Sequence, residues 1–257
     1  MKKIAIIGTG ICGLRAGLEL SQRSHLHIIF FEKSRSVGGR VATRRFDEGF
    51  VNHGADDFTT MEALIKEDPS LKDHDSYSLK GEATKVPKLL RDLLSKQANI
   101  EMKFSSKVIR VKEEVVTTED GKDHQFDHIL LTAPAPQVSE MLGSAPLPIS
   151  YDKKILFIGP QIKVYFPDHL TDEYFDQSEE AIRLAAQNEG LHHQGLELKK
   201  WRYANVIKGV SKNFESFTTS ITIAGDGFDP LHQYGLKAAW LSGSSAGNFI
   251  ASKFPGA

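Results

Sequence analysis

Six residues near the start, Gly8-Thr9-Gly10-Ile11-Cys12-Gly13, constrain this chain more than any others. They follow Ile4-Ala5-Ile6-Ile7 without a gap, and that apolar, β-branched run predicts a strand buried on both faces, as in a parallel sheet. Residues 14–23 then have helical composition and spacing, and a second apolar run, residues 27–31, ends at Glu32. Strand, glycine turn, helix and strand in this order make a βαβ unit with a right-handed crossover. The first glycine allows a tight turn, the second lets a diphosphate approach the backbone, and the third lets helix and strand pack closely. A diphosphate placed there rests on unpaired N–H groups at the positive end of the helix dipole. By chance, such glycine spacing would arise roughly 0.1 times in a chain of this length, so context carries the reading. Glu32 stands where an acidic side chain bonds ribose hydroxyls, and its charge argues against a 2′-phosphorylated nucleotide.

Composition narrows the remaining choices. With 40% hydrophobic and 25% charged residues, the 257-residue chain can bury a core of one large or two small domains. Lys+Arg (32) against Asp+Glu (33) gives no basic surface for a nucleic acid. A single cysteine, Cys12, excludes an internal disulfide framework and a Cys-rich zinc site. The apolar run after Lys2 and Lys3 is too short for a signal peptide or a membrane span, so the expected location is cytoplasmic.

Further along, residues 87–98 predict a helix with Pro87 in its first turn, and residues 100–104 alternate as a strand does. Residues 108–118 and 124–126 flank Asp120-Gly121, a hairpin signal. Residues 129–133 read as a buried strand stopped by Pro134 and Pro136. Short strands follow at 154–158 and 162–166, then a helix at 178–187 and a polar loop at His192-His193, read as solvated and not as a metal site. A last buried strand at 220–224 ends in Gly225-Asp226-Gly227, and a closing helix covers 236–252.

Two further features favour a long ligand. Gly38-Gly39-Arg40 gives another close backbone approach, with a guanidinium to fork onto phosphate. At the other end, Asp226 can bond a polyol chain while a helix start presents N–H groups. A ligand touched by both ends of the chain suits FAD better than a nicotinamide dinucleotide held by one βαβ unit; a plain NAD dehydrogenase is the competing expectation.

The segments GTGICG (8–13), EKSRSVGGR (32–40), HGADDFT (53–59), SSKVIRV (105–111), FDHILLTAPAPQV (126–138), KKWRYANV (199–206), AGDGFD (224–229) and GLKAAWLSGSSAG (235–247) resemble, in this order, the flavin-containing amine oxidase superfamily, and most closely its renalase-like branch. The resemblance implies an α/β fold: a GR2-type Rossmann-like FAD-binding domain (1–58, 86–136, 211–257) carrying a reduced, inserted α+β substrate domain (59–85, 137–210). It implies non-covalent FAD, with Gly8, Gly10 and Gly13 on the diphosphate, Glu32 on the ribose and Arg40 on the far side of the diphosphate. Val108 would meet the adenine, Asp226 the ribityl or phosphate region and Leu236 the flavin C2 carbonyl, with Gly54 and Ala55 passing close to the ring. Ile11, Cys12, Lys33, Gly39, Ala133, Pro134, Gly225 and Gly235 would complete the cofactor contacts. Cys12 faces the phosphates, which favours a small apolar packing residue over a redox thiol.

Two departures from the family pattern bear on chemistry. Asp56 and Asp57 stand where relatives carry an amide and an aromatic. A carboxylate there would lower the flavin potential, act as a base or recognise an amine, unless both point to solvent. The substrate segments are also short, so the roof over the ring is expected to be thin, with a homodimer partner available to complete it. With Asp56, Trp201 and Tyr203 are the candidate catalytic residues: an aromatic over the flavin face, Trp201 also touching the cofactor, could sandwich a planar or cationic substrate, unless Trp201 packs a seam between domains. Lys163 is a candidate for the water-activating lysine of some relatives. The expected activity is hydride transfer from a small reduced substrate, a dihydronicotinamide isomer or an amine, to flavin N5, with dioxygen as acceptor. The alternative is a flavin-binding interaction module without turnover.

Overall fold

The structure, a computed structural model, describes residues 1–55, 58–68, 71 and 81–256. The chain begins with β1 (Lys2–Ile7), α1 (Ile11–Ser21), β2 (Leu26–Phe31), a hairpin of β3 (Thr43–Phe46) and β4 (Gly49–Asn52), then α2 (Phe58–Glu67) and α3 (Lys85–Leu94). Next come β5 (Ile100–Lys103), β6 (Val108–Lys112), β7 (Val115–Thr118), β8 (Asp123–Gln125), β9 (His128–Leu131) and α4 (Ala135–Leu142). The following stretch holds β10 (Ser150–Tyr151), β11 (Lys154–Gly159), β12 (Ile162–Tyr165), α5 (Asp168–Tyr174), α6 (Glu179–Asn188) and β13 (Glu197–Trp201). It ends with β14 (Val206–Lys208), β15 (Glu215–Ser216), β16 (Ile221–Ile223) and α7 (Leu236–Lys253).

From Ile4 in β1 and Ile28 in β2 onward both strands are apolar at every position because both of their faces are covered. Ile4, Ile6, Ile28 and Phe30 pack beneath α1, α3 and α7. Ala5, Ile7, Ile29 and Phe31 face the meander β6–β7–β8 and α4. The main sheet has the order β15-β16-β9-β1-β2-β5, parallel throughout except for the β15–β16 pair. Ile7 is level with both Phe31 and Leu131, and Leu131 with Ile223, so the carboxyl ends of four strands form one edge. The crossover from β1 runs to one side, to β2, while β9 lies on the other. That places a topological switch point at β1, where open α/β sheets bind ligands.

A smaller antiparallel sheet, β12-β11-β13, packs Ile155 and Phe157 against α5 and α6 through Phe166, Phe175 and Ile182. Its other face sets Leu156 and Ile158 against Val51 of the β3–β4 hairpin, with Phe46 and Trp201 beside them. Residues 108–118 are two strands and not the single one expected: the chain reverses at Glu113, which has a φ of 54°, so β6, β7 and β8 form two successive hairpins. α1 also begins at Ile11, three residues earlier than its composition suggested, with Gly13 inside its first turn.

Candidate functional site

The glycine turn between β1 and α1 sits at the switch point. Gly8 has a φ of 111°, a region side chains rarely adopt, and a Cβ there would lie 2.8 Å from Thr132 Oγ1. A Cβ on Gly13 would lie 2.2 Å from the Gly8 carbonyl oxygen, so strand and helix meet only because both are glycine. Gly10 differs: its φ is −71°, and a Cβ would meet nothing within 4 Å. No internal packing requires glycine at that position. Gly10 caps α1 without a side-chain bond, and no acidic residue occupies the first turn, so the helix start offers N–H groups to an anion.

Glu32 is buried at the end of β2. One carboxylate oxygen accepts the Thr9 N–H (3.0 Å) and hydroxyl (2.8 Å), and the other accepts the Ser34 N–H (2.8 Å). The glycine turn is thereby tied to the end of β2. Lys33 is exposed beside it. Val108 starts β6, an edge strand of the meander, and Pro134 caps α4, with Ala133 preceding it against the meander core.

Arg40 joins four segments. The turn that carries it lies on the first glycine turn: Gly38 donates its N–H to the Thr9 carbonyl (3.0 Å), and a Cβ on Gly39 would be 3.3 Å from Gly10 Cα. The Arg40 guanidinium pairs with Asp226 Oδ1 at 2.7 Å and donates to the Tyr203 carbonyl at 3.2 Å, with the Tyr151 ring 5.4 Å away. Burial alone would lower the pKa of Arg40, but the adjacent Asp226 charge outweighs it and the net shift is upward. Gly235 then donates its N–H to the Asp226 carbonyl (3.4 Å) and caps α7 with a φ of 119° and no side-chain bond.

α7 lies directly on α1. Cβ atoms on Gly243 and Gly247 would strike the carbonyl oxygens of Cys12 (2.3 Å) and Ala16 (2.8 Å). Both contacts advance four residues in the same sense, so the helices run parallel and their positive ends share one side of the sheet. That register starts α7 six helical positions ahead of α1 along their shared direction, about 9 Å at 1.5 Å per residue. From one start to the other, the path Gly10, Gly39, Arg40, Asp226, Gly235 is a chain of direct neighbours. Gly225 is fixed to α7 by its N–H to Ser242 Oγ (3.0 Å). Cys12 is buried in the first turn of α1, and burial, with the Asp226 charge, pushes its thiol well up, so it packs as a small apolar residue.

The residues expected on the substrate side lie in different places. Trp201 donates its indole N–H to the His53 carbonyl (2.7 Å), with the two rings 5.5 Å apart, and packs into the seam between the hairpin and the smaller sheet. Tyr203 lies at the Arg40 junction, its ring edge-on to Tyr151 at 5.6 Å and its carbonyl on Arg40, beside the Arg40–Asp226 ion pair. Gly54 also has a reason other than a flavin ring: a Cβ there would lie 1.9 Å from the Arg40 carbonyl oxygen, which accepts the Ala55 N–H at 2.8 Å. Asp56 and Asp57 lie outside the described residues. Lys163 is on β12, its ammonium 5.4 Å from the Tyr165 ring centroid. His193, expected in a solvated loop, is buried with its ring 4.9 Å from Phe157.

Sequence reasoning passed over His53 and Tyr151. Burial, then the charges of Lys199 and Lys163, lower His53 to about 4, so its imidazole is neutral near neutral pH. Its position beside Gly54-Ala55 was visible in the sequence; its contact with Trp201 was not.

This is a parallel-sheet Rossmann-like dinucleotide-binding fold. Residues 6–68 match the family model for an NAD(P)-binding Rossmann-like domain. The chain resembles the crystal structure of a candidate protoporphyrinogen oxidase from Exiguobacterium sp. 255-15, with a TM-score of 0.67 at 15% identity over 98% of this chain and 99% of that one. It also resembles an oxidoreductase from Methanosarcina mazei (TM-score 0.59, 12% identity, 95% and 99% covered). A probable FAD-dependent monooxygenase from Pseudomonas aeruginosa is similar too (TM-score 0.53, 13% identity, 98% and 87% covered).

Proposed function

We propose that the chain is an FAD-dependent oxidoreductase that takes hydride from a small reduced substrate, a dihydronicotinamide isomer or an amine, and passes electrons to dioxygen. The observation that carries this reading is the pair of parallel, uncapped helix starts, offset by about 9 Å and joined through Arg40 and Asp226. One start suits a diphosphate, and the other suits a ring carbonyl at the far end of a polyol chain. The open space at Gly10, Gly225 and Gly235, where added Cβ atoms would meet nothing, fits a ligand lying along this path. Bound FAD would supply hydride-acceptor chemistry that no side chain here can.

The protein's own groups bind and orient. The α1 N–H groups and Arg40 hold the diphosphate, Glu32 holds the ribose, and the α7 start at Leu236 stabilises negative charge on the ring carbonyl. Hydride transfer from either donor class needs little acid–base help, which agrees with a His53 that is neutral at working pH. Similarity to oxidoreductases and to an FAD-dependent monooxygenase supports the flavin class. Anaerobic mixing of the FAD-loaded protein with each donor class tests the reading. Bleaching of the flavin absorbance by one class, reversed on admitting air, is expected; no bleaching by any hydride donor would leave a binding module without turnover.

A further inference from the structure

Tyr151 belongs to the two-residue strand β10, in a stretch the sequence assigned to the substrate side, yet its ring lies against the phosphate-side ion pair. The Arg40 guanidinium carbon is 5.4 Å from the ring centroid, within the range of a cation–π contact. The Tyr151 hydroxyl is 3.5 Å from Asp226 Oδ1 and 3.4 Å from the Ala135 N–H nitrogen, both long for hydrogen bonds. The ring face therefore holds Arg40 more than the hydroxyl holds Asp226. Tyr203 braces the ring edge-on, and burial pushes the phenol well up, so it stays neutral beside the pair. A guanidinium carries five N–H donors, and the bonds to Asp226 and the Tyr203 carbonyl leave donors for a ligand.

We infer that Tyr151 is a positioning residue for the diphosphate of a bound dinucleotide: its ring fixes the Arg40 guanidinium between the two helix starts, poised for phosphate. The inference rests on the dinucleotide reading above and adds to it a residue from outside the glycine motifs. Without the ring, Arg40 regains rotamer freedom that must be lost again on binding. The loss falls on ligands that carry the diphosphate and spares those that carry only the nucleoside.

Calorimetric titration of the full chain with ADP and with adenosine separates the two cases. Tyr151→Phe keeps the ring and should bind ADP within about twofold of the parent. Tyr151→Leu should weaken ADP by about three- to tenfold, with adenosine unchanged. In an Arg40→Gln background the leucine variant should cost no further ADP affinity. If Tyr151→Leu fails to fold, Tyr151→Met, which refills the volume without a π face, carries the same expectation. Unchanged ADP binding in the ring-less variant, or an equal loss of adenosine, overturns the inference. A parent chain that binds neither ligand overturns the dinucleotide reading itself, and the inference with it.

Discussion

Replacing Gly10 with alanine separates what the fold requires from what a ligand requires. The position has an ordinary φ of −71°, and the added methyl would meet nothing within 4 Å. Two stability effects oppose each other. Alanine restricts the unfolded chain, worth about 0.4–1 kcal/mol, but is a poorer helix cap than glycine by about 0.5–1 kcal/mol. The net change should lie within about 0.5 kcal/mol, or about 2 °C in Tm for a chain of this size. Binding has no such compensation, because the methyl stands between a diphosphate and the N–H groups of α1. Losing one charge-assisted backbone bond costs about 1.5–3 kcal/mol, or about 10- to 100-fold in affinity. Gly13→Ala is the contrast: its Cβ would lie 2.2 Å from a backbone oxygen, and overpacking of about 1–3 kcal/mol exceeds the roughly 1 kcal/mol that alanine gains inside a helix. Thermal melts and FAD titrations of both variants are the assay. A Gly10→Ala protein that melts as early as Gly13→Ala, or that binds FAD as tightly as the parent, would refute the reasoning.

Three other outcomes follow from the packing. Arg15 is buried between Glu19 (2.7 Å) and Asp68 (2.9 Å), with the Trp240 ring 5.2 Å away, and ties α1 to the end of α2 and to α7. Arg15→Met takes the cation from beside the buried Asp68 and from Glu19, which keeps the Ser244 hydroxyl, and should cost about 3 kcal/mol in urea denaturation. His128 is buried in β9 against Thr222 Oγ1 (2.9 Å), and burial, then Lys253, lowers it to about 4. It folds neutral while the unfolded chain protonates near 6.5, so stability is complete above that pH and falls as pH drops toward 4, by about 3 kcal/mol in all. His128→Leu should make the loss between urea melts at pH 7 and 4.5 smaller, leaving the part that His53 carries. Trp201→Phe keeps a ring in the seam but leaves the His53 carbonyl without its donor, and should cost about 1 kcal/mol in a thermal melt while leaving FAD affinity unchanged.

The parts legible in the sequence are those whose local pattern and tertiary role coincide. The apolar runs at residues 4–7 of β1, 28–31 of β2 and 129–131 of β9 are buried on both faces, and that reads directly as parallel sheet. The start of α1 was hidden because Gly13 looks like turn chemistry, whereas it serves a close helix–strand approach from inside the helix. Pro134 and Pro136 were read as ending β9, which they do, but they also open α4, where proline suits the first turn. The β3–β4 hairpin carries charged Arg44 and Arg45 on exposed faces, so its alternation was weak. At the site, the glycines and Glu32 were visible as a motif. Tyr151 was not, since a lone tyrosine on a two-residue strand gains meaning only through Arg40, far away in the chain. Trp201 and Tyr203 stood out in the sequence as aromatics, but only the fold shows that one packs in a seam while the other's carbonyl anchors Arg40.

The central claim is that the starts of α1 and α7 hold one ligand between them. Parallel calorimetric titrations with FAD and with ADP test it most directly, because ADP reaches only the first start. The account predicts that FAD binds at least tenfold tighter than ADP, a difference of about 1.4 kcal/mol or more. Equal affinities would mean that nothing beyond the diphosphate is held, and would contradict it.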